Sequence, residues 1–359
     1  MNLQAKSILS SPSRMYWRIT QILVGLVGLG IFIALIFFPE IGIHAFWNVL
    51  IPIAPALFVV AVGLWRNVCP LASTSLISRH LGFAKKKKLK VKQQGRLQLI
   101  AVILLLLIVP LRHTIFDTNG LATAIIIGIL ALIAIYVSYK YNWKSAWCSG
   151  LCPIHPVEKL YGRKSLFVLP NAHCKTCVKC VAPCPDSTPS IHPLYKKKKM
   201  LSNKIAGALI IGGFPGFIWG WFHVQDYFNN EGWKYLVSTY AYPFIAMTIT
   251  LILFLVMKKV VAKKHEVILI NLFAAAAVSV YYWYRLPALI GFGIIQGDGM
   301  LVDFSQSLPN WFPIILQTLT TLFFAWWIVF NKKEISNWVI RPPYKKQNKS
   351  IRNIINPTV

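Results

Sequence analysis

Eight stretches of this chain are apolar over roughly twenty residues each, and no other feature limits its fold as much. They run roughly over 17–38, 45–64, 97–116, 119–138, 205–224, 239–257, 266–284 and 311–330. At ~1.5 Å rise per residue, ~20 residues carry a helix across a hydrocarbon core of ~30 Å. The pattern predicts an all-α membrane protein of about eight transmembrane helices. The third stretch is the shortest: its charge-free part is Leu97–Leu111, and it reaches bilayer length only by taking in Arg112 and His113.

Composition agrees. Hydrophobic residues make up 56% of the chain, charged residues only 13%, and mean hydropathy is +0.57. A soluble domain carries about a quarter charged residues. The 38 Lys and Arg outnumber 10 Asp and Glu. Soluble nucleic-acid binders are also basic, but they do not carry repeated runs of bilayer length, so nucleic acid is excluded as a partner.

Charge also orients the helices. With the N-terminus inside, only Arg112, Lys234 and Arg285 of the Lys and Arg fall outside, while Glu40, Asp117, Asp226, Glu231, Asp298 and Asp303 collect there. That is the positive-inside bias, and it predicts a multi-pass protein of the cytoplasmic (inner) membrane with both termini cytoplasmic. Trp residues such as Trp17, Trp47, Trp65, Trp143, Trp219 and Trp283 fall near predicted helix ends, where an aromatic belt sits. The first apolar run is too long for a signal-peptide core and no small-residue cleavage site follows it, so it reads as an uncleaved anchor.

All seven cysteines fall in the two long inner segments, 65–96 and 139–204. The first holds Cys69-Pro70, the second Cys148-x3-Cys152-Pro153, and each then proceeds to a Lys run, 85–88 and 196–199. The two segments read as a weak internal repeat. The residue four before the Cys-Pro cysteine is Cys148 in the second copy and Trp65 in the first.

The strongest motif is Cys174-x2-Cys177-x2-Cys180-x3-Cys184-Pro185. Three thiolates spaced two residues apart let a tight loop wrap one face of a [4Fe–4S] cubane, and the fourth, before Pro, is directed away, as in two-cluster ferredoxins. Structural zinc favours two Cys pairs across a longer loop and fits this spacing poorly. An odd cysteine count on a reducing side argues against disulfides. The cofactor expected is one or two [4Fe–4S] clusters. Cys174, Cys177 and Cys180 pair with one Cys-Pro cysteine, and Cys184 joins the others around a second centre. Two cubanes need about eight ligands, and this chain has seven cysteines. A non-Cys ligand (His155, His173 or Asp186), a three-iron centre or a single cluster would each close that gap. For Cys69 a small buried residue at a helix end is the plain alternative.

Half-motifs at the inner ends of helices, followed by the full cysteine motif, resemble the NapH/NosR/CcoG-type membrane iron–sulfur proteins. The resemblance covers about the first 200 residues. It implies electron transfer between the quinone pool, or another donor, and a partner. Relative to that pattern this chain has Trp65 where a cysteine is usual, and it has neither a second full motif nor a long outer or C-terminal soluble domain. The resulting organisation is 1–138, a four-helix membrane part with the half-motif loop 65–96; 139–204, a small ferredoxin-like cytoplasmic insertion; 205–330, a second four-helix membrane part; and 331–359, a basic cytoplasmic tail.

Near the outer helix ends stand Arg112, His113, His44 and His223. Such groups hydrogen-bond a quinone or hold a b-type haem in some membrane proteins, and in others simply snorkel to headgroups. The Lys runs suit anionic lipid, or an acidic soluble carrier such as a ferredoxin or flavodoxin, or a respiratory subunit. No paired catalytic carboxylates, activated nucleophile or phosphate-binding glycine loop is present, so an electron-transfer subunit is favoured over a complete enzyme. The alternatives are a redox assembly or maturation factor for a respiratory enzyme and a zinc-stabilised membrane scaffold. In the fifth apolar run, Gly212-Gly213-Phe214-Pro215-Gly216 predicts a kink and a close helix approach.

Overall fold

The computed structural model describes residues 11–85, 87, 89–141, 144–167, 169, 172–173, 200–227, 231–293 and 299–331. Among them the secondary structure is helical, apart from one isolated bridge between Lys87 and Tyr141. Eight helical spans are long and apolar enough to cross a membrane: Pro12–Phe37, Pro39–Ser75, Lys92–Arg112, Gly120–Lys140, Leu201–Trp221, Gly232–Val260, Lys263–Leu289 and Phe312–Phe330. The chain is a multi-pass membrane protein.

Their ends differ from the apolar runs in instructive ways. The third span does not depend on Arg112 and His113 for its length. Its α-helix is Val91–Ile108, 18 residues, and gains its extra turns from polar residues before Leu97. Arg112 closes a short turn, Pro110–Arg112, and His113 follows it. The second span is longer than its apolar core, and it breaks at Ala61 (φ −150°, ψ 65°). The break frees the carbonyls of Val59 and Val60, which accept the N–H groups of Leu166 (3.1 Å) and Phe167 (2.8 Å). A loop from the cysteine-bearing segment thus satisfies backbone groups that a broken helix would leave bare inside the bundle.

In the fifth span the irregularity falls just before Pro215. Leu201–Ala208 is α-helical, Leu209–Gly213 is a π-helical turn, and Phe214–Trp221 is α-helical again. Proline lacks the N–H that would bond the carbonyl four residues back, here Ile211, and a wider turn absorbs the fault. The glycines do permit close approach. A Cβ on Gly216 would lie 2.1 Å from the Ala246 carbonyl oxygen, and one on Gly220 would lie 2.4 Å from that of Tyr242.

The main apolar core lies among the second, third and fifth to eighth spans, around Phe58, Leu106, Ile210, Phe217, Phe254, Phe273 and Phe324. Burial reaches 67% of the apolar window of the fifth span but only 6% of that of the first, so the first packs as an outer, lipid-facing helix. The connections sort to opposite ends. One end gathers Asn48, Arg112, His113, Asp226 and Arg285; the other gathers Cys69, Cys148, Cys152 and Glu158.

Candidate metal centre

Two proline-imposed corners position the described cysteines. Proline pushes the residue before it out of the α region. Cys69, before Pro70, is extended (φ −51°, ψ 118°) and ends the helix Ile51–Val68. Cys152, before Pro153, ends the π-helical stretch Lys144–Leu151. Both cysteines, with Cys148, pack against one small apolar floor of Ala72, Leu76, Ala134 and Trp147. Cys148 and Cys152 therefore share a surface, as their spacing predicts. Trp65 does not join them. Its carbonyl accepts the Cys69 N–H (2.9 Å), while its ring packs with Phe58 in the main core. The first half-motif supplies one cysteine and a core aromatic.

The backbone N–H groups of Ile154 and His155 point at the Cys152 sulfur and favour its thiolate, but burial and the neighbouring Cys69 outweigh them and push the thiol up to about 12. Two neighbouring thiolates in an apolar setting repel each other, and a bound cation is what makes both stable. Soft sulfur donors of this kind suit iron–sulfur clusters or zinc. Among the described residues, no three His, Cys, Asp or Glu side chains form a group able to hold a metal ion. Cys174, Cys177, Cys180, Cys184 and Asp186, and with them the Lys run 196–199, lie outside the described residues.

The approach to that motif is described. Asn67, two residues before Cys69 and almost fully buried, accepts the Ala172 N–H through Oδ1 (3.0 Å). Its own carbonyl accepts His173 Nε2 (3.1 Å) and Gln21 Nε2 (3.0 Å). His173, the residue before Cys174 in the sequence, is buried next to Asn67, two residues before the Cys69 corner. His155 lies at the start of the helix His155–Tyr161, 3.6 Å through Nδ1 from Glu158, which forms a buried ion pair with Arg66. Ser149 is bonded by two glutamines of the third span, Gln94 Nε2 to its hydroxyl (3.2 Å) and Gln98 Nε2 to its carbonyl (2.9 Å). Arg163 reaches Asn271 of the seventh span (2.9 Å). The cysteine loop is thus fastened to the second, third and seventh spans by polar contacts. Buried polar groups persist only when paired this way.

The opposite end holds a second buried polar cluster. Arg112 and Arg285 are each 1% exposed and His113 2%, so none of them snorkels. Asn48 Oδ1 accepts from Arg285 (2.9 Å) and Arg112 (3.4 Å), and Arg112 also reaches Asp117 (3.2 Å). His113 Nδ1 pairs with Asp226, and its buried Nε2 has no hydrogen-bond partner among the described residues. Burial raises the Asp226 pKa, but the His113 bond and the charges of His113, Arg112 and Arg285 outweigh it, so the carboxyl is held below its usual range. His44 and His223 stand apart from this pair. His44 accepts from Asn48 Nδ2 (3.2 Å), and His223 donates to the Trp219 carbonyl (2.7 Å) with its ring on Trp219. Arg285, Asp226 and Asn48 had not been singled out from sequence. Arg285, an arginine near the end of an apolar run, was the signal available.

Comparison with family models, with curated proteins and with solved structures finds no match.

Proposed function

We propose that this chain is a membrane-bound iron–sulfur electron-transfer protein, a relative of the NapH/NosR/CcoG-type proteins. In this reading residues 139–204 form a small ferredoxin-like insertion on the cytoplasmic face, and single electrons pass there between a quinone pool or soluble carrier and a membrane partner. The observation that carries it is the Asn67 anchor: it sets the residues entering Cys174-x2-Cys177-x2-Cys180-x3-Cys184 beside the corner that bears Cys69, on whose floor Cys148 and Cys152 also pack.

A [4Fe–4S] cluster, when bound, supplies one-electron carriage at a potential set by its surroundings. The residues around it have separate tasks. Cys69, Cys148, Cys152 and the four cysteines of 174–184 are the thiolate donors. The N–H groups of Ile154 and His155 offset negative charge on sulfur, and hydrogen bonds of that kind help to set a cluster's potential. Ala72, Leu76, Ala134 and Trp147 keep water from one side. The Lys-rich segments present a basic surface to an acidic carrier, steering its approach.

The test is the iron and acid-labile sulfide content of anaerobically purified protein, with EPR before and after dithionite. About eight irons with coupled reduced signals would place two cubanes on the seven cysteines, and about four would place one. Iron-free, colourless protein carrying zinc would overturn the proposal in favour of a zinc-stabilised scaffold. A reducible cluster that neither quinol nor a soluble carrier can reduce, in protein that co-purifies with an oxidase or reductase under assembly, would favour the maturation role.

A further inference from the structure

At the cysteine-bearing end, between the first span and the corner after the second, lies a cavity of about 310 Å³. Its wall carries Arg14, Trp17, Arg18 and Gln21 from one helix and His80 and His173 from across the gap. Among the described residues no Asp or Glu lines it, and Arg14 and Arg18 make no salt bridge. Gln21 and His173 both donate to the Asn67 carbonyl, so the floor is built rather than open. At ~30 Å³ per water, the space would hold roughly ten waters, ample for a phosphate with its glycerol.

We propose that this cavity binds the headgroup of an anionic phospholipid from the leaflet on the cysteine-bearing side. Three features choose a lipid over a soluble anion. The cavity sits at the end of a membrane span beside Trp17, the depth at which headgroups lie. Ile22 lines it and is 62% exposed, and Ile19, Leu23 and Leu26 continue an exposed apolar face toward the bilayer interior, a track for an acyl chain. Arg14 and Arg18 stand one helical turn apart and offer two guanidinium forks to one phosphodiester. Because His173 shares the wall, an occupied site braces the residues that enter the Cys174 motif.

The full-length protein, delipidated in mild detergent, is titrated with phosphatidylglycerol or phosphatidylcholine, and bound lipids are counted by native mass spectrometry. One tight phosphatidylglycerol adduct is expected, bound at least about tenfold more weakly in Arg14→Gln/Arg18→Gln. The charge-matched pair Lys259→Gln/Lys263→Gln should leave it unchanged, and Arg14→Lys/Arg18→Lys should restore part of the loss. Thermal unfolding of each variant identifies misfolded protein, in which case the Lys pair replaces the Gln pair as the readout. Equal weakening by the two Gln pairs, equal affinity for phosphatidylcholine, or displacement by millimolar inorganic phosphate would overturn the proposal.

Discussion

Replacing Asn67 by Leu removes the acceptor that holds Ala172 while keeping a side chain of similar size in the buried space. A side chain to backbone hydrogen bond contributes about 1 kcal/mol net, and a buried donor left unpaired costs about 1–3 kcal/mol. Ala172 is only half-buried, so water relieves part of that cost and the loss is set at about 1–2 kcal/mol. That is a factor of about 5–30 in the population of the detached segment. Hydrogen–deuterium exchange of the peptide spanning Ala172 measures this ratio directly, without reference to any cofactor. Exchange there should accelerate by that factor in Asn67→Leu, whereas peptides from the fifth and seventh spans should exchange as before. In iron-loaded protein the same substitution should speed iron loss to a chelator. Unchanged exchange at Ala172 with an unaltered melting temperature would refute the anchor, and with it the support that Ala172 and His173 lend to the proposed function.

Three other perturbations test other parts of the molecule. Cys69→Ser should lower the iron content of anaerobically purified protein and bleach its visible absorption; full iron retention would make Cys69 a structural residue. Asp226→Asn removes the buried carboxylate that faces His113, Arg112 and Arg285 and should cost about 3–5 kcal/mol, read as a fall in melting temperature. Because the Asp226 carboxyl is held low in the fold, the stability it contributes is fully present above the unfolded value of about 4 and is lost as pH falls through the lower folded value. Thermal unfolding between about pH 6 and 3 should show that acid loss in the wild type and a weaker one in Asp226→Asn. Gly216→Val drives a side chain into the Ala246 carbonyl and should separate the fifth and sixth spans, at a cost of about 1–3 kcal/mol. An unchanged melting temperature would show that the two helices repack freely.

The spans were legible because bilayer length and apolarity are properties of single segments, and a hydropathy window reads them without knowing any contact. What failed was local. The third span seemed to need Arg112 and His113 because its helix recruits Lys92, Gln93, Gln94 and Arg96 at the other end, and polar residues are invisible to an apolar window. Gln94 is tolerated there because Ser149 pairs with it, a contact between residues 55 positions apart. The half-motifs were legible as proline corners, but the pattern could not show that the Trp65 ring would turn to Phe58. Glu158 was visible as one of two acids in its loop, and only the fold shows that it pairs with Arg66.

The two buried polar sites differ in what they require of a chemical partner. At the Arg112–Asp226 end, cations and carboxylates on the same chain offset one another, although His113 Nε2 has no partner among the described residues. Such networks fix helix ends against each other. At the cysteine end the balance is different. Arg66 and Glu158 neutralise each other, but burial and the neighbouring Cys69 disfavour the Cys152 thiolate, which the Ile154 and His155 amides favour. Two sulfur groups held together in apolar surroundings are either neutral thiols with weak hydrogen bonding or thiolates that call for a cation. The polar fastenings around them, from Gln94, Gln98, Asn67 and Arg163, add to the burial of Trp147, Leu160 and Tyr161 in holding the loop. The proposed coordination would need such fastenings, because ligands must be held in place before a metal arrives.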